Sequence, residues 1–223
     1  MDDYKVIEVK KSILEDNDAD ADRLRNELKA NKTFLINLMS SPGAGKTTTL
    51  VRTINMLRDE IAIGVMEADI DSDVDAQTIV DAGAKAIQLH TGGMCHLDAD
   101  MTRQGLKELG TDGLDMVVLE NVGNLVCPAE YDTGSIKNVM ILSVPEGDDK
   151  PLKYPLMFSV CDVILINKCD ALPVFEDFSK EDVEERIHQL NPSAQVIFVS
   201  AKNGEGFESW IQWIRKQVEV FNN

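Results

Sequence analysis

From residue 33 onward, short apolar runs alternate with amphipathic stretches of helical period. The pattern predicts strands near 33–39, 61–67, 85–90, 115–120, 138–144, 162–167 and 195–199, with helices near 46–59, 73–82, 98–109, 177–190 and 206–221. The run VILIN at 163–167 is apolar without alternation, as expected of a strand covered on both faces of a parallel sheet. Strand-helix alternation of this kind implies an α/β fold, a doubly wound and mostly parallel sheet of about seven strands flanked by helices, with ligands at the C-terminal ends of the strands. Ahead of it, residues 4–30 carry an apolar stripe of Val6, Ile7, Val9, Ile13 and Leu14 interrupted by DNDADAD, which predicts one or two helices packed on the main body. There is no internal repeat and no linker, so the expected division is a helical extension over 1–30 and one domain over 31–223.

Composition narrows the class. A chain of 223 residues with 43% hydrophobic content can bury one sizeable core, and with aromatics at only 5% that core must rest on Val, Ile, Leu, Ala and Met. A formal charge of −17 argues against nucleic acid or an anionic membrane as partner, because phosphate surfaces reward Lys and Arg. The N-terminal MDDYKVIEVKK has neither the basic region nor the apolar core of a signal peptide, and no run of 18 apolar residues occurs, so a cytoplasmic protein is expected. Four cysteines without paired spacing suggest no disulfide framework.

Three motifs carry nucleotide chemistry. SSPGAGKTT at 40–48 sits between a predicted strand and a predicted helix. Gly43, Ala44 and Gly45 bring backbone N–H groups close to phosphates, Lys46 reaches the β and γ oxygens, and the Thr47 hydroxyl, followed by Thr48, stands where Mg²⁺ needs a ligand. Ser40 occupies the first position of the usual pattern, where glycine is customary. NKCD at 167–170 closes the VILIN strand with Asn167, Lys168 and Asp170. A carboxylate at Asp170 accepts from the two donors of guanine, and adenine would leave it unpaired at a cost of about 1.5–3 kcal/mol or more. VSAK at 199–202 adds Ser200, Ala201 and Lys202 after a further apolar strand, where a loop would contact the base. In this order the three segments resemble the elements of a P-loop GTPase.

Acidic residues follow the intervening strands. Glu67, Asp69, Asp71, Asp73 and Asp75 come after the second, and Glu120 with Gly123 after the fourth. Mg²⁺ takes only one or two protein oxygens besides phosphate and water, and Asp75 and Glu120 are selected for that work, with Asp69 behind them. A softer set comprises Cys95 and His96 in TGGMCHLDAD and Cys127 in NLVCPAEYD. Thiolate and imidazole suit Zn²⁺, Ni²⁺ or Cu⁺, and a fourth position would be open to water, Asp98 or a second protomer. Spacing by itself favours an ordinary cysteine and histidine pair over a site. Cys161 and Cys169 read as structural.

SSPGAGKT, TGGMCHLDA, ENVGNLVCPAEYD, PEGDDKPLKYP and INKCD together resemble the HypB family, GTPases that assist nickel insertion into [NiFe]-hydrogenase. The resemblance covers the chain from about residue 30 on and reverses the reading of the soft set. It implies that Cys95, His96 and Cys127 match metal ligands near a dimer interface, binding Ni²⁺ or Zn²⁺. It also implies that GTP, with GDP as product, drives homodimerisation. The partners it implies are a HypA-type nickel metallochaperone and the hydrogenase large-subunit precursor. Some family members carry an N-terminal cysteine motif or a histidine-rich tract; this sequence has neither, its histidines being His90, His96 and His188. A urease-type nickel GTPase is expected to show Cys-Pro-His, whereas Ala129 follows Pro128 here. NKCD speaks against a small-molecule kinase, and a nucleotide-gated metal-binding module without turnover stands as the non-enzyme reading. Slow intrinsic hydrolysis is expected, since no glutamine or arginine finger stands out in the motifs.

Overall fold

The computed structural model describes residues 14–69 and 74–223, with side chains from 16–68 and 77–223. Seven strands form one sheet: β1 Phe34–Ser40, β2 Ile63–Asp69, β3 Lys85–His90, β4 Met116–Glu120, β5 Lys137–Ser143, β6 Val163–Asn167 and β7 Gln195–Phe198. Their order is β3-β2-β4-β1-β5-β6-β7, and every pairing is parallel, where the sequence implies only a mostly parallel sheet. The eight helices among the described residues are α1 Leu14–Asn31, α2 Lys46–Leu57, α3 Val74–Asp81, α4 Ala99–Leu109, α5 Lys150–Lys153, α6 Pro155–Ser159, α7 Lys180–Leu190 and α8 Phe207–Asn222.

Alternate strand residues serve opposite layers, as the pleat requires. Phe34, Ile36 and Leu38 of β1 pack with Leu50, Ile54 and Leu57 of α2, Ile79 of α3, and Trp210, Ile211 and Ile214 of α8. On the other face, Leu35 joins Leu24 and Leu28 of α1 with Met101 and Leu109 of α4. Met140, Leu142, Ile164 and Ile166 there meet Phe158 of α6 and Val183 of α7. β1, β4 and β6 are buried along their whole length, which is why they read as unbroken apolar runs.

The strands agree with expectation to within a few residues, the described part of the N-terminal stretch is one of the one or two helices expected, and the later helices differ in two places. α1 runs unbroken through DNDADAD, because Asn17, Ala21, Leu24 and Leu28 lie on one buried face while the acids point outward. Val6, Ile7, Val9 and Ile13 of the predicted stripe lie outside the described residues. α7 begins at Lys180, not near 177, because the Ser179 hydroxyl accepts from Asp182 N–H at 3.1 Å and caps the helix there. The short helices α5 and α6 are absent from the sequence reading; each carries Pro in its first turn, and at four and five residues they are too short for a periodic signal.

One polar thread crosses the middle of the sheet. Asn121, just past β4, donates from Nδ2 to Asn37 Oδ1 on β1 at 3.0 Å, and Asn37 Nδ2 donates to Asn138 Oδ1 on β5 at 3.1 Å. Asn37 and Asn121 are buried, so each amide needs its partner. Replacing Asn37 with leucine strands the Asn121 donor. Asn37→Leu is expected to lower stability by about 1–3 kcal/mol despite its greater hydrophobicity, seen as a lower urea midpoint at unchanged slope.

Candidate functional site

Parallel register delivers the C-terminal ends of β1, β2, β4, β5 and β6 to one edge, and the loops there build the site. After β1 the chain turns through Gly43 at φ 77° and Gly45 at φ 99°, left-handed values that favour glycine, and enters α2 at Lys46. A Cβ on Gly45 would fall 2.5 Å from Asn167 Nδ2. That closeness is functional in layout: Asn167 Nδ2 donates to the Ala44 carbonyl at 2.9 Å, while its Oδ1 accepts from Ala201 N–H at 3.0 Å. One side chain at the end of β6 therefore ties the phosphate loop to the loop after β7. Lys168, itself at φ 61°, donates from Nζ to the Gly43 carbonyl at 2.7 Å.

Asp170 and Ser200 meet, with Ser200 Oγ donating to Asp170 Oδ1 at 2.7 Å. Arg52 of α2 holds the backbone of the same loop, donating to the Ala201 carbonyl at 2.7 Å and the Lys202 carbonyl at 3.0 Å. Sequence reading missed Arg52, because a helix arginine carries no motif.

A cleft of about 370 Å³ opens beside the phosphate loop, lined by Lys46, Thr47, Thr48, Glu67, Glu120 and Gly123 among others. Lys46 Nζ donates to Ser40 Oγ at 3.1 Å and stands 3.9 Å from Glu120 Oε1. Ser40, unusual for its position in the motif, thus supplies a resting partner for the lysine. Gly123 lies against Pro42, where a Cβ would meet the ring at 3.1 Å. Glu67 is the acid that the sequence reading passed over. It is 2% exposed, and β2 and β4 place it in direct lateral register with Glu120, so two carboxylates flank the cleft. Register between non-sequential strands is the signal that would have found it. Asp69 ends β2 and Asp75 lies in the first turn of α3. The side chains of both fall outside the described residues, as do Asp71 and Asp73 entirely.

Glu146 was also missed. It follows β5 within the PEGDDKPLKYP segment, takes Ser143 N–H at 2.8 Å and Ser143 Oγ at 2.7 Å on one oxygen, and accepts the Ser41 hydroxyl of the phosphate loop on the other. The loop is therefore held by carboxylate and amide partners from β5 and β6 together.

The sulfur-bearing loops follow β3 and β4. Cys95 Sγ lies 3.9 Å from His96 Nδ1, and the Cys95 thiol beside Cys127, with burial behind it, raises the Cys127 thiol above its ordinary range. The two thiols are thus neighbours. His96 is turned onto Tyr131, the rings stacked at 3.6 Å and 11°. Among the described residues, no three His, Cys, Asp or Glu side chains converge as a preformed metal cage. Two adjacent thiols with an imidazole beside them remain a donor set for a soft or borderline cation such as nickel or zinc, since stacking on Tyr131 engages the face of the His96 ring and not its in-plane nitrogens. Asp98 is not available as a fourth ligand in this arrangement: it is 2% exposed and caps α4, accepting from Met101 N–H at 2.9 Å. Burial pushes up the thiols of Cys161 and Cys169, in keeping with structural roles.

Comparison with known proteins gives the same direction. A family described as "CobW/HypB/UreG, nucleotide-binding domain" matches residues 34–198. The hydrogenase maturation factor HypB of Rhizobium leguminosarum bv. viciae is 44% identical over 214 residues, covering 96% of this chain and 71% of that protein. The hydrogenase/urease maturation factor HypB of Helicobacter hepaticus is 42% identical over 205 residues, 90% of this chain and 84% of the other. Among solved structures, HypB from Helicobacter pylori in complex with nickel superposes with a TM-score of 0.86 at 36% identity, covering 92% of this chain and 96% of that one. Among the described residues, no helix is long and apolar enough to cross a membrane.

Gly45→Ala is expected to keep the sheet, by circular dichroism, but to weaken nucleotide binding about 5-fold to 30-fold in a fluorescent-nucleotide titration. The left-handed backbone alone costs a side chain about 1–2 kcal/mol, and each 1.4 kcal/mol is tenfold.

Proposed function

This chain belongs to the HypB branch of the CobW/HypB/UreG nucleotide-binding family, and on that premise we propose that it is a GTP-hydrolysing metallochaperone coupling nucleotide state to nickel delivery in [NiFe]-hydrogenase maturation. The observation that carries the proposal is the common edge: the stretch from Glu120 in the phosphate cleft to Cys127 beside Cys95 is eight residues long.

In this reading residues 31–223 form the GTPase domain and 1–30 a helical extension. Gly43, Ala44, Gly45, Lys46, Thr47 and Thr48 hold the phosphates; Asn167, Lys168, Asp170, Ser200, Ala201 and Lys202 hold guanine. Thr47 and one of Asp75 and Glu120, with Asp69 behind them, would hold Mg²⁺, which when bound would neutralise charge building on the phosphates. Glu67, level with Glu120, orients the attacking water or an outer-sphere one. Lys46 leaves Ser40 for the nucleotide, stabilising negative charge between β- and γ-phosphate. Cys95, His96 and Cys127 take nickel, or zinc, as cargo. GTP closes a homodimer, a HypA-type metallochaperone and the hydrogenase large-subunit precursor are the protein partners, and the work is done in the cytoplasm. Loss of the γ-phosphate releases the Glu120–Cys127 stretch and with it a metal ligand, an order-to-disorder switch.

The name of the Helicobacter hepaticus relative supports a second reading in which urease is also a client; Ala129 after Pro128, where a urease-type protein would carry histidine, weighs against it.

The test is a Ni²⁺ titration of metal-free protein with GDP and with a non-hydrolysable GTP analogue. The expected result is an affinity difference of about 5-fold to 150-fold, the ordinary range of coupling, abolished in Cys127→Ala. Superimposed curves would remove the gating. Phosphate release should fall to background in Lys46→Ala, and by about 10²–10⁴ in Glu120→Gln or Glu67→Gln if either acid handles the water.

A further inference from the structure

Helix α1 carries an asparagine where its packing stripe calls for an apolar residue. Asn17 is 1% exposed and precedes Ala21, Leu24 and Leu28 on the buried face. A buried amide is costly unless both ends are bonded, and here both are. Oδ1 accepts from the Ala99 backbone N–H at 2.9 Å, and Nδ2 donates to the Asp132 backbone carbonyl at 2.9 Å. Ala99 directly follows the Cys95-His96-Leu97-Asp98 stretch, and Asp132 directly follows Tyr131 in the loop that Cys127 opens. One side chain therefore bridges the downstream ends of both sulfur-bearing loops.

The rest of α1 reinforces that bridge. Arg25 forks onto the Asp132 carboxylate at 2.5 and 2.6 Å and donates to the Ser135 carbonyl at 3.1 Å. Leu24 lies so close to this loop that a Cβ on Gly134 would fall 2.7 Å from it. On the other side, Arg103 of α4 donates to the Asp20 carbonyl at 3.0 Å. The stacked rings of His96 and Tyr131 span the same two loops.

We propose that α1 is a clamp that sets the spacing of the two sulfur-bearing loops, with Asn17 as the positioning residue through which it acts on metal capture. The inference rests on the metal reading of Cys95, His96 and Cys127 given above. Asn17 touches backbone on both sides and no donor atom, so its effect is on the distance between ligands. Removing it leaves each loop intact and loosens one against the other. Residues that orient metal ligands from behind are typically worth 10-fold to 100-fold in metal affinity.

The experiment is a Ni²⁺ titration of the full chain by chelator competition, with sulfur-to-nickel charge-transfer absorbance as a second readout, on Asn17→Ala, Arg25→Ala, Leu28→Ala and Cys127→Ala. Leu28 packs α1 on the same apolar cluster and takes no part in the hydrogen-bonded bridge, so its variant loosens the helix but keeps the bridge. The expected result is a 10-fold to 100-fold loss of nickel affinity and a weaker charge-transfer band in Asn17→Ala. A smaller loss is expected in Arg25→Ala, which removes a partly exposed fork and keeps the core. Leu28→Ala should keep wild-type nickel affinity at a lower melting temperature, and GDP affinity should stay within about twofold throughout. Should Asn17→Ala fail to fold, Arg25→Ala decides. Wild-type affinity in the Asn17 or Arg25 variant, or an equal loss in Leu28→Ala, overturns the clamp while leaving the metal site standing. Unchanged nickel affinity in Cys127→Ala overturns the metal reading itself, and the clamp with it.

Discussion

The amide of Asn167 is the constraint on which the nucleotide edge depends. Held at the end of a fully buried strand, it accepts from the Ala201 N–H and donates to the Ala44 carbonyl. Both loops are thereby referred to one rigid point, and the distance between phosphate and base subsites becomes a property of the sheet. The glycine at 45 is the other half of that constraint, since any side chain there would occupy the space of the amide. Arg52 and Glu146 extend the arrangement, one fastening the base loop to α2 and the other fastening Ser41 to β5. What looks in sequence like three separate motifs is physically a single hydrogen-bonded unit.

Much of this was legible before any coordinates. Strands buried on both faces announce themselves as unbroken apolar runs, and the glycines, the lysine and the NKCD and VSAK segments have spacings that chemistry dictates. What escaped were interactions defined by lateral register or by long separations along the chain. Glu67 gains its place because β2 pairs with β4, Asn37 because β1 lies between β4 and β5, and Asn17 because α1 reaches residues 99 and 132. None of these has a local signature.

The sulfur-bearing loops contrast with the nucleotide edge. There the partners are in place, whereas here two neighbouring thiols and an imidazole stacked on Tyr131 do not converge as a preformed cage. Stacking of this kind is worth about 0.5–1.5 kcal/mol beyond burial and fixes the plane of the ring while leaving its nitrogens at the edge. The arrangement suits a carrier that must release what it binds, for which a fully preformed cage would be a disadvantage.

The strand order has a consequence for how the molecule comes into being. β1 bears the phosphate loop at its end, yet its neighbours in the sheet are β4 and β5, and the amide that finishes the loop belongs to β6. On a ribosome that strand emerges early and remains without either lateral partner until residues 116–143 have followed it. Non-local parallel pairing is slow, and exposed strand edges attract one another while they wait. The nucleotide pocket is therefore among the last features to form, and nascent chains gain nothing from bound nucleotide until most of their length has been made.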